Sequence, residues 1–378
     1  MARARLRGLT KYYLWRAMNK FENWLKCYDA DDLLPFTESA DGLLWLKLKS
    51  IVRKEWLNAF LRHSEIELQS SKLKEQWREL FAALNQRNDA HSLLDAFIRE
   101  QDRHIALALP VQQLVSELYK MRSFDWGGNY QNNLDRFLVD HYIKNIPSFD
   151  TLSSKIQTEI AASVSGYVLC SWYNHWPSIL IEHLFKQHPK VLPTIGMIKK
   201  VDFFVDQVPF DLKVTYLPQG FIAEQRKAMG LKPELTELKG YARAENISFD
   251  KAADNAAQAY EITQKLLDAG SSNAGEIQNI RTRILNEAMA SPELLVRWLY
   301  ENQGERRFDA SNRVFLVLVD TQDWDASWKL KRNLDALKPS IDGWLDSFKR
   351  DELDRLKVEF RFAGKLYRCF SDVIFVVR

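Results

Sequence analysis

Three side chains in the middle of this chain, Asp202, Asp211 and Lys213, have the types and spacing for acid-dependent chemistry. Lys200-Val201-Asp202-Phe203-Phe204-Val205 and Phe210-Asp211-Leu212-Lys213-Val214-Thr215 are two β-rich runs separated by the polar Asp206-Gln207-Val208-Pro209, which predicts a hairpin. Side chains alternate across a strand, so Asp211, Lys213 and Thr215 share one face while Phe210, Leu212 and Val214 share the other. Across the hairpin the carboxylate of Asp202 is placed to converge with that of Asp211, beside Lys213. Two carboxylates a few Å apart in a partly buried sheet repel unless a cation lies between them. Oxygen-only ligands select a hard ion, and Mg²⁺, with Mn²⁺ as a substitute, is the expected cofactor. Asp206 is read as a turn residue.

An acid two residues before a lysine arises by chance at roughly one position in a hundred or two, so the tripeptide has weight only in context. Glu237-Leu238-Lys239 has the same spacing in a helix-compatible stretch without a hairpin partner and is rejected as a site. For Asp211-Leu212-Lys213 the plain alternative is an exposed strand face carrying a surface ion pair.

Other elements must position these residues. Up to about residue 120 apolar residues recur at three- and four-residue spacing, as in Leu44 to Leu61 and Leu73 to Leu84, which predicts an α-helical accessory domain over 1–124. Turn chemistry from Asp125 to Asn129 marks its boundary. A helix is expected from Leu152 to about Tyr173, and a further one from Ser178 to Phe185 with Pro177 in its first turn. Val191 to Met197 is either a first core strand or an early part of the first hairpin strand. Residues 217–311 read as an inserted helical subdomain. Val314 to Val319 predicts a strand covered on both faces, Trp328 to Leu337 a helix, and Val373 to Val377 a closing strand, together a parallel crossover unit beside the hairpin in one mixed sheet.

The composition is that of a packed globular protein: 46% hydrophobic, 27% charged, with 12 Trp and 21 Phe among 378 residues. No apolar run is long enough to span a bilayer and no secretory signal is legible at the N-terminus, so a cytoplasmic protein without membrane contact is expected. Cys27, Cys170 and Cys369 lack zinc spacing. A net charge of +3 supplies no overall field for nucleic acid, so attraction must be local. Arg3, Arg5, Arg7, Lys11, Arg16, Lys20 and Lys26, interleaved with Tyr12, Tyr13, Trp15 and Trp24, form either a phosphate-contacting arm or a solvated helix face. The cluster from Trp172 to Trp176 is read as core packing or as a surface for stacking on bases. His175 and His183 are read as structural or as near phosphate. Arg306, Arg307 and Arg313 are read as phosphate contacts or surface ion pairs. No phosphate-cradling Gly-rich loop is present, which argues against ATP-driven chemistry.

The hairpin and its acids resemble the PD-(D/E)xK nuclease superfamily over about residues 165 to 216 and 312 to 378. Val201 stands where that family's motif has proline. The resemblance implies an αβββαβ core, hence an α/β, restriction-endonuclease-like mixed sheet flanked by helices, divided here into 125–216 and 312–378. It implies that Asp202, Asp211 and the Leu212 carbonyl hold the metal, that Glu182 in Ile179-Leu180-Ile181-Glu182-His183 completes its environment, and that Lys213 orients the attacking water. The implied activity is endonucleolytic hydrolysis of nucleic acid, DNA foremost, in restriction or other antiviral defence, with a homo-oligomer or a partner protein of a defence system. The rival expectation is a nuclease-like binding or scaffold protein that does not cut.

Overall fold

In a computed structural model of the chain the described residues are 20–30, 32–122, 134–198, 200–302, 311–362 and 364–378. The basic arm from Arg3 to Arg16, the boundary from Asp125 to Asn129, and Arg306 and Arg307 lie outside them.

Residues 20–29 form α1, followed by α2 (Leu34–Glu38), α3 (Ala40–Ser50), α4 (Lys54–Ser64), α5 (Leu73–Leu84) and α6 (Ala90–Ala108). Their apolar faces meet around Trp45, whose ring lies 4.7 Å from that of Trp77 and 5.6 Å from that of Phe36. The same cluster takes in Leu192, Val201 and Phe204, so these helices are anchored on one end of a sheet. The anchoring requires Gly196: a Cβ there would lie 2.1 Å from the Ser50 carbonyl oxygen at the end of α3.

α7 (Val111–Tyr119) packs elsewhere, with Leu114 and Leu118 against Tyr173, Leu180 and Trp328. α8 (Leu134–Leu138) and α9 (Phe149–Lys155) each run on into a π-helical turn, and α10 (Ala161–Lys186) continues from the second of these. Pro177 lies inside α10 and does not open a separate helix, contrary to the sequence expectation. An interior proline costs about 3 kcal/mol. Burial of Tyr173, Leu180, Ile181, Leu184 and Phe185 on both sides of it keeps the helix continuous.

The sheet has six strands in the order β1-β2-β3-β4-β6-β5. β1 (Val191–Ile198), β2 (Val201–Val205) and β3 (Val208–Tyr216) form an antiparallel meander, so Val191 to Met197 belongs to a strand of its own. The β2–β3 turn is Asp206-Gln207, both in the left-handed region at φ 44° and 71°, as a two-residue hairpin turn of this hand requires. Pro209 falls in β3 and not in the turn. Five helices follow: α11 (Gln219–Ala228), α12 (Glu234–Ala244), α13 (Asn255–Asp268), α14 (Ser272–Ala290) and α15 (Pro292–Asn302). β4 (Arg313–Val319) then lies parallel to β3 and is buried throughout. A 3-10 helix, Trp324–Arg332, precedes α16 (Leu334–Ser347), where the sequence reading placed one helix over Trp328 to Leu337. β5 (Lys357–Phe362) and β6 (Lys365–Val377) pair antiparallel, and β6 lies parallel to β4.

Alternation divides the sheet between two helical layers. Phe203, Phe210, Leu212, Leu316 and Ile374 pack with α10 and α16. Phe315, Val317, Val319 and Phe360 pack with α11, α14 and α15. The segment after β3 therefore supplies the second layer of the sheet, while its tip, α12 and α13 with the start of α14, keeps a small core of its own around Leu238, Ile262 and Ile277. The result is an α/β fold with an open mixed sheet. Among the described residues no helix is long and apolar enough to cross a membrane.

Candidate active site

β3 changes neighbours at Asp211. Its pairing with β2 runs from Val205 opposite Val208 to Phe203 opposite Phe210, and its pairing with β4 begins at Asp211 opposite Arg313. Where the β2 ladder stops, the Asp202 side chain takes over, with Oδ2 accepting from the Leu212 N–H at 2.7 Å. Thr194 of β1 donates its hydroxyl to the Asp202 carbonyl at 2.9 Å, which fixes β2 from its other side.

Asp211 is buried, and both of its oxygens are engaged. Lys213 Nζ donates to Oδ1 at 2.5 Å and lies 3.5 Å from the Leu212 carbonyl. Arg313 Nε donates to Oδ2 at 2.9 Å. Arg313 is 3% exposed and stands 5.2 Å over the Tyr300 ring, so it is a buried partner of Asp211 and not a surface residue. The two cations differ in reach, because the Lys213 side chain is 38% exposed and Arg313 is sealed beneath α15.

Among the described residues no cation pairs with Asp202 at hydrogen-bonding range. Burial, then the like charges of Asp211 and Glu182, push its carboxyl up to about 6, against the opposing effects of the Leu212 N–H and Lys213. The structure thus joins Asp202, Asp211, Lys213 and the Leu212 carbonyl. It does not join Glu182 to them by a hydrogen bond. Glu182, on α10, is held by Lys186 one turn on, at 3.3 Å, and reaches Asp202 only through its field.

Among the described residues no three His, Cys, Asp or Glu side chains gather as a metal-holding group. Mg²⁺ does not need three. It dehydrates reluctantly and is commonly held by one or two carboxylates, its own waters and substrate phosphate. Asp202 and Asp211 with the Leu212 carbonyl are hard oxygen donors of that kind.

Several residues that hold the site carried no legible signal. Asn312, buried before β4, donates to Thr37 Oγ1 and to the Pro209 carbonyl, both at 3.0 Å, and accepts from the Phe370 N–H at 2.9 Å. It clamps α2, β3 and β6 next to Asp211. Lys47 of α3, fully buried, donates to Asp95 of α6 at 2.6 Å and to Gln207, pinning the hairpin turn to the N-terminal helices. Asn312 and Lys47 look like ordinary surface polar residues in the sequence, because their partners lie far along the chain.

The remaining sequence candidates separate. Tyr173 is buried and donates to the Trp328 carbonyl at 2.9 Å, whereas Trp172 is among the exposed apolar residues. His175 packs its ring against Trp176. His183 lines a cleft of about 280 Å³ with Arg99, Arg103 and Lys186 between α6, α10 and β1. Burial lowers its imidazole pKa, with Asp102 opposing and Lys186 adding to the shift. Lys20 pairs with Asp41, so this part of the basic run is bound to α3. Glu237 lies in α12 and pairs with Arg226. No protein-family model, curated protein or solved structure matches this chain.

Proposed function

We propose that this chain is a metal-dependent nuclease that hydrolyses phosphodiester bonds of nucleic acid, DNA foremost, on a restriction-endonuclease-like core of the PD-(D/E)xK type. The observation that carries the reading is the junction at Asp211, where β3 leaves β2 for β4 and the Asp202, Asp211 and Lys213 side chains meet beside the Leu212 carbonyl. The order α10, β1, β2, β3, helical segment, β4 agrees with an αβββαβ core whose second helical element has been enlarged. The cleft of Arg99, Asp102, Arg103 and Lys186 keeps an excess of positive charge for a phosphate backbone, although Lys186 is paired with Glu182 and Arg99 donates to the Val191 and Pro189 carbonyls. A cytoplasmic role in restriction or other antiviral defence, with a second copy or a partner protein, goes with the same resemblance.

Asp202, Asp211 and the Leu212 carbonyl would hold Mg²⁺, or Mn²⁺ in its place, with Glu182 acting through water. When bound there, the ion supplies Lewis acidity toward a phosphate oxygen and eases deprotonation of a water. Lys213, the exposed cation of the pair, orients the attacking water and faces the charge that builds on the phosphate oxygens. The water oxygen attacks phosphorus in line with the leaving oxygen, losing its proton to solvent, and the bond from phosphorus to the leaving oxygen breaks as that oxygen keeps the electron pair and takes up a proton from solvent. No bond to the protein forms. Arg313 acts on Asp211 alone, fixing its carboxylate from the buried side.

One observation favours a second reading, a nuclease-like binding or scaffold protein: both Asp211 oxygens are neutralised by protein cations without any metal. Incubation of the purified chain with plasmid, linear duplex, single-stranded DNA and RNA, each with Mg²⁺ and with EDTA, separates the two. The nuclease reading expects EDTA-sensitive cutting that drops at least about 100-fold in Lys213→Ala and Asp211→Asn with unchanged circular dichroism. Cutting that survives both substitutions removes Asp211 and Lys213 as the centre, and no cutting on any substrate leaves the second reading.

A further inference from the structure

The exposed-lysine face of β3 does not end at Lys213. Thr215, the next residue on that face, lies roughly 7 Å further along the strand. It forms the near wall of a cavity of about 350 Å³ outside the C-terminal ends of β3 and β4, a volume within the range of small-molecule sites. Crevices outside the carboxyl ends of parallel strands are where α/β sheets bind ligands. The 3-10 helix after β4 roofs it.

The lining is two-sided in chemistry. Tyr216, Trp324 and Trp328 supply ring surface, and Thr215, Gln219 and Asp325 supply hydroxyl, amide and carboxylate. The indole N–H of Trp324 is buried and has no acceptor among the described residues. Tyr216 is held rigidly, with Lys331 Nζ 5.3 Å from its ring centroid and itself donating to Asn174 at 2.9 Å. No residue of the cavity belongs to the Asp202, Asp211 and Lys213 cluster, and the Sequence-level features did not point to it.

We infer that this cavity takes an unpaired nucleobase of the substrate strand, stacked on its aromatic wall and hydrogen-bonded at its edge by Gln219 and Asp325, one nucleotide away from the phosphate at Lys213. The inference rests on the nuclease reading for the direction of the strand and for nothing else. Flat aromatic rings with donors and acceptors on the rim are the ligand class that such a wall and edge select. A base paired inside a duplex cannot enter a cavity of this size, so the substrate is single-stranded or has that nucleotide turned out of the stack. The polar residues at the rim, Gln219 and Asp325, are exposed and can be changed without opening the core.

Ligand-observed saturation-transfer NMR on the full chain in EDTA tests this apart from catalysis. Deoxyadenosine 5′-monophosphate is expected to show saturation at its base protons, and ribose 5-phosphate, which lacks the base, to show none. Gln219→Trp, which fills the mouth, and Asp325→Leu, which removes the edge, are each expected to weaken binding about tenfold. An equal response to ribose 5-phosphate, or undiminished binding in both rim variants with unchanged melting, overturns the base site. Base binding in a chain that cuts nothing sinks the nuclease reading and leaves the cavity assignment standing, whereas cutting without base binding does the reverse.

Discussion

Replacing Asp202 by Asn is expected to stabilise the metal-free protein while abolishing any cutting. In the folded chain the Asp202 carboxyl titrates at about 6, against 3.8 when unperturbed. A folded-state pKa raised above the unfolded one means that the folded protein binds the extra proton between those two values, so stability is lost as pH rises from about 4 to about 6 and stays lost above. The difference corresponds to at most about 3 kcal/mol. Asn keeps an oxygen to accept the Leu212 N–H and removes only the charge. With an unfolding entropy of roughly 2.1 cal/mol/K per residue, the gain at pH 8 raises Tm by about 4 °C at most. Thermal unfolding in EDTA at pH 4, 6 and 8 reads this directly: the native chain loses stability relative to Asp202→Asn across that span. Parallel pH profiles for the two proteins, or a lower Tm for Asp202→Asn at pH 8, would refute the argument that burial and the charges of Asp211 and Glu182 destabilise this carboxylate.

Arg313→Met leaves the buried Asp211 with Lys213 alone and is expected to cost about 3–5 kcal/mol, measured by urea unfolding at pH 7; a loss under 1 kcal/mol would mean that Asp211 is solvated from another side. Gly196→Ala drives a Cβ to 2.1 Å from the Ser50 carbonyl, so β1 or the end of α3 must move, at a cost of about 1–3 kcal/mol or more, with faster amide exchange at both elements as the readout. Asn312→Ala strips partners from the Pro209 carbonyl and the Phe370 N–H, and about 3 kcal/mol of stability is expected to go with them. Because Asn312 lies next to Arg313, the same variant should lower any cutting even where it remains folded, which an activity assay below its melting point checks.

The hairpin, its side-chain alternation and the placing of Asp211-Leu212-Lys213 on a strand and Glu237-Leu238-Lys239 in a helix were legible because they depend on local patterns: a period of two in one stretch, helical composition in the other. The buried run Val314 to Val319 and the end of the closing strand were legible for the same reason, and the helix between them agrees with their parallel pairing, but β5 and the start of β6 at Lys365 were not read from the sequence. Pro177 misled because local proline chemistry predicts a helix start, and only the packing of α10 on the sheet keeps the helix unbroken there.

What tertiary structure alone decided is how charge is shared. Sequence fixes that an acid at 202, an acid at 211 and a lysine at 213 can share a face. Nothing local says that Arg313, about a hundred residues on, closes the second oxygen of Asp211, or that Lys47 crosses from α3 to hold the turn at Gln207. These pairings join residues far apart along the chain, and their strength depends on burial, which exists only once the helical layers have closed over the sheet.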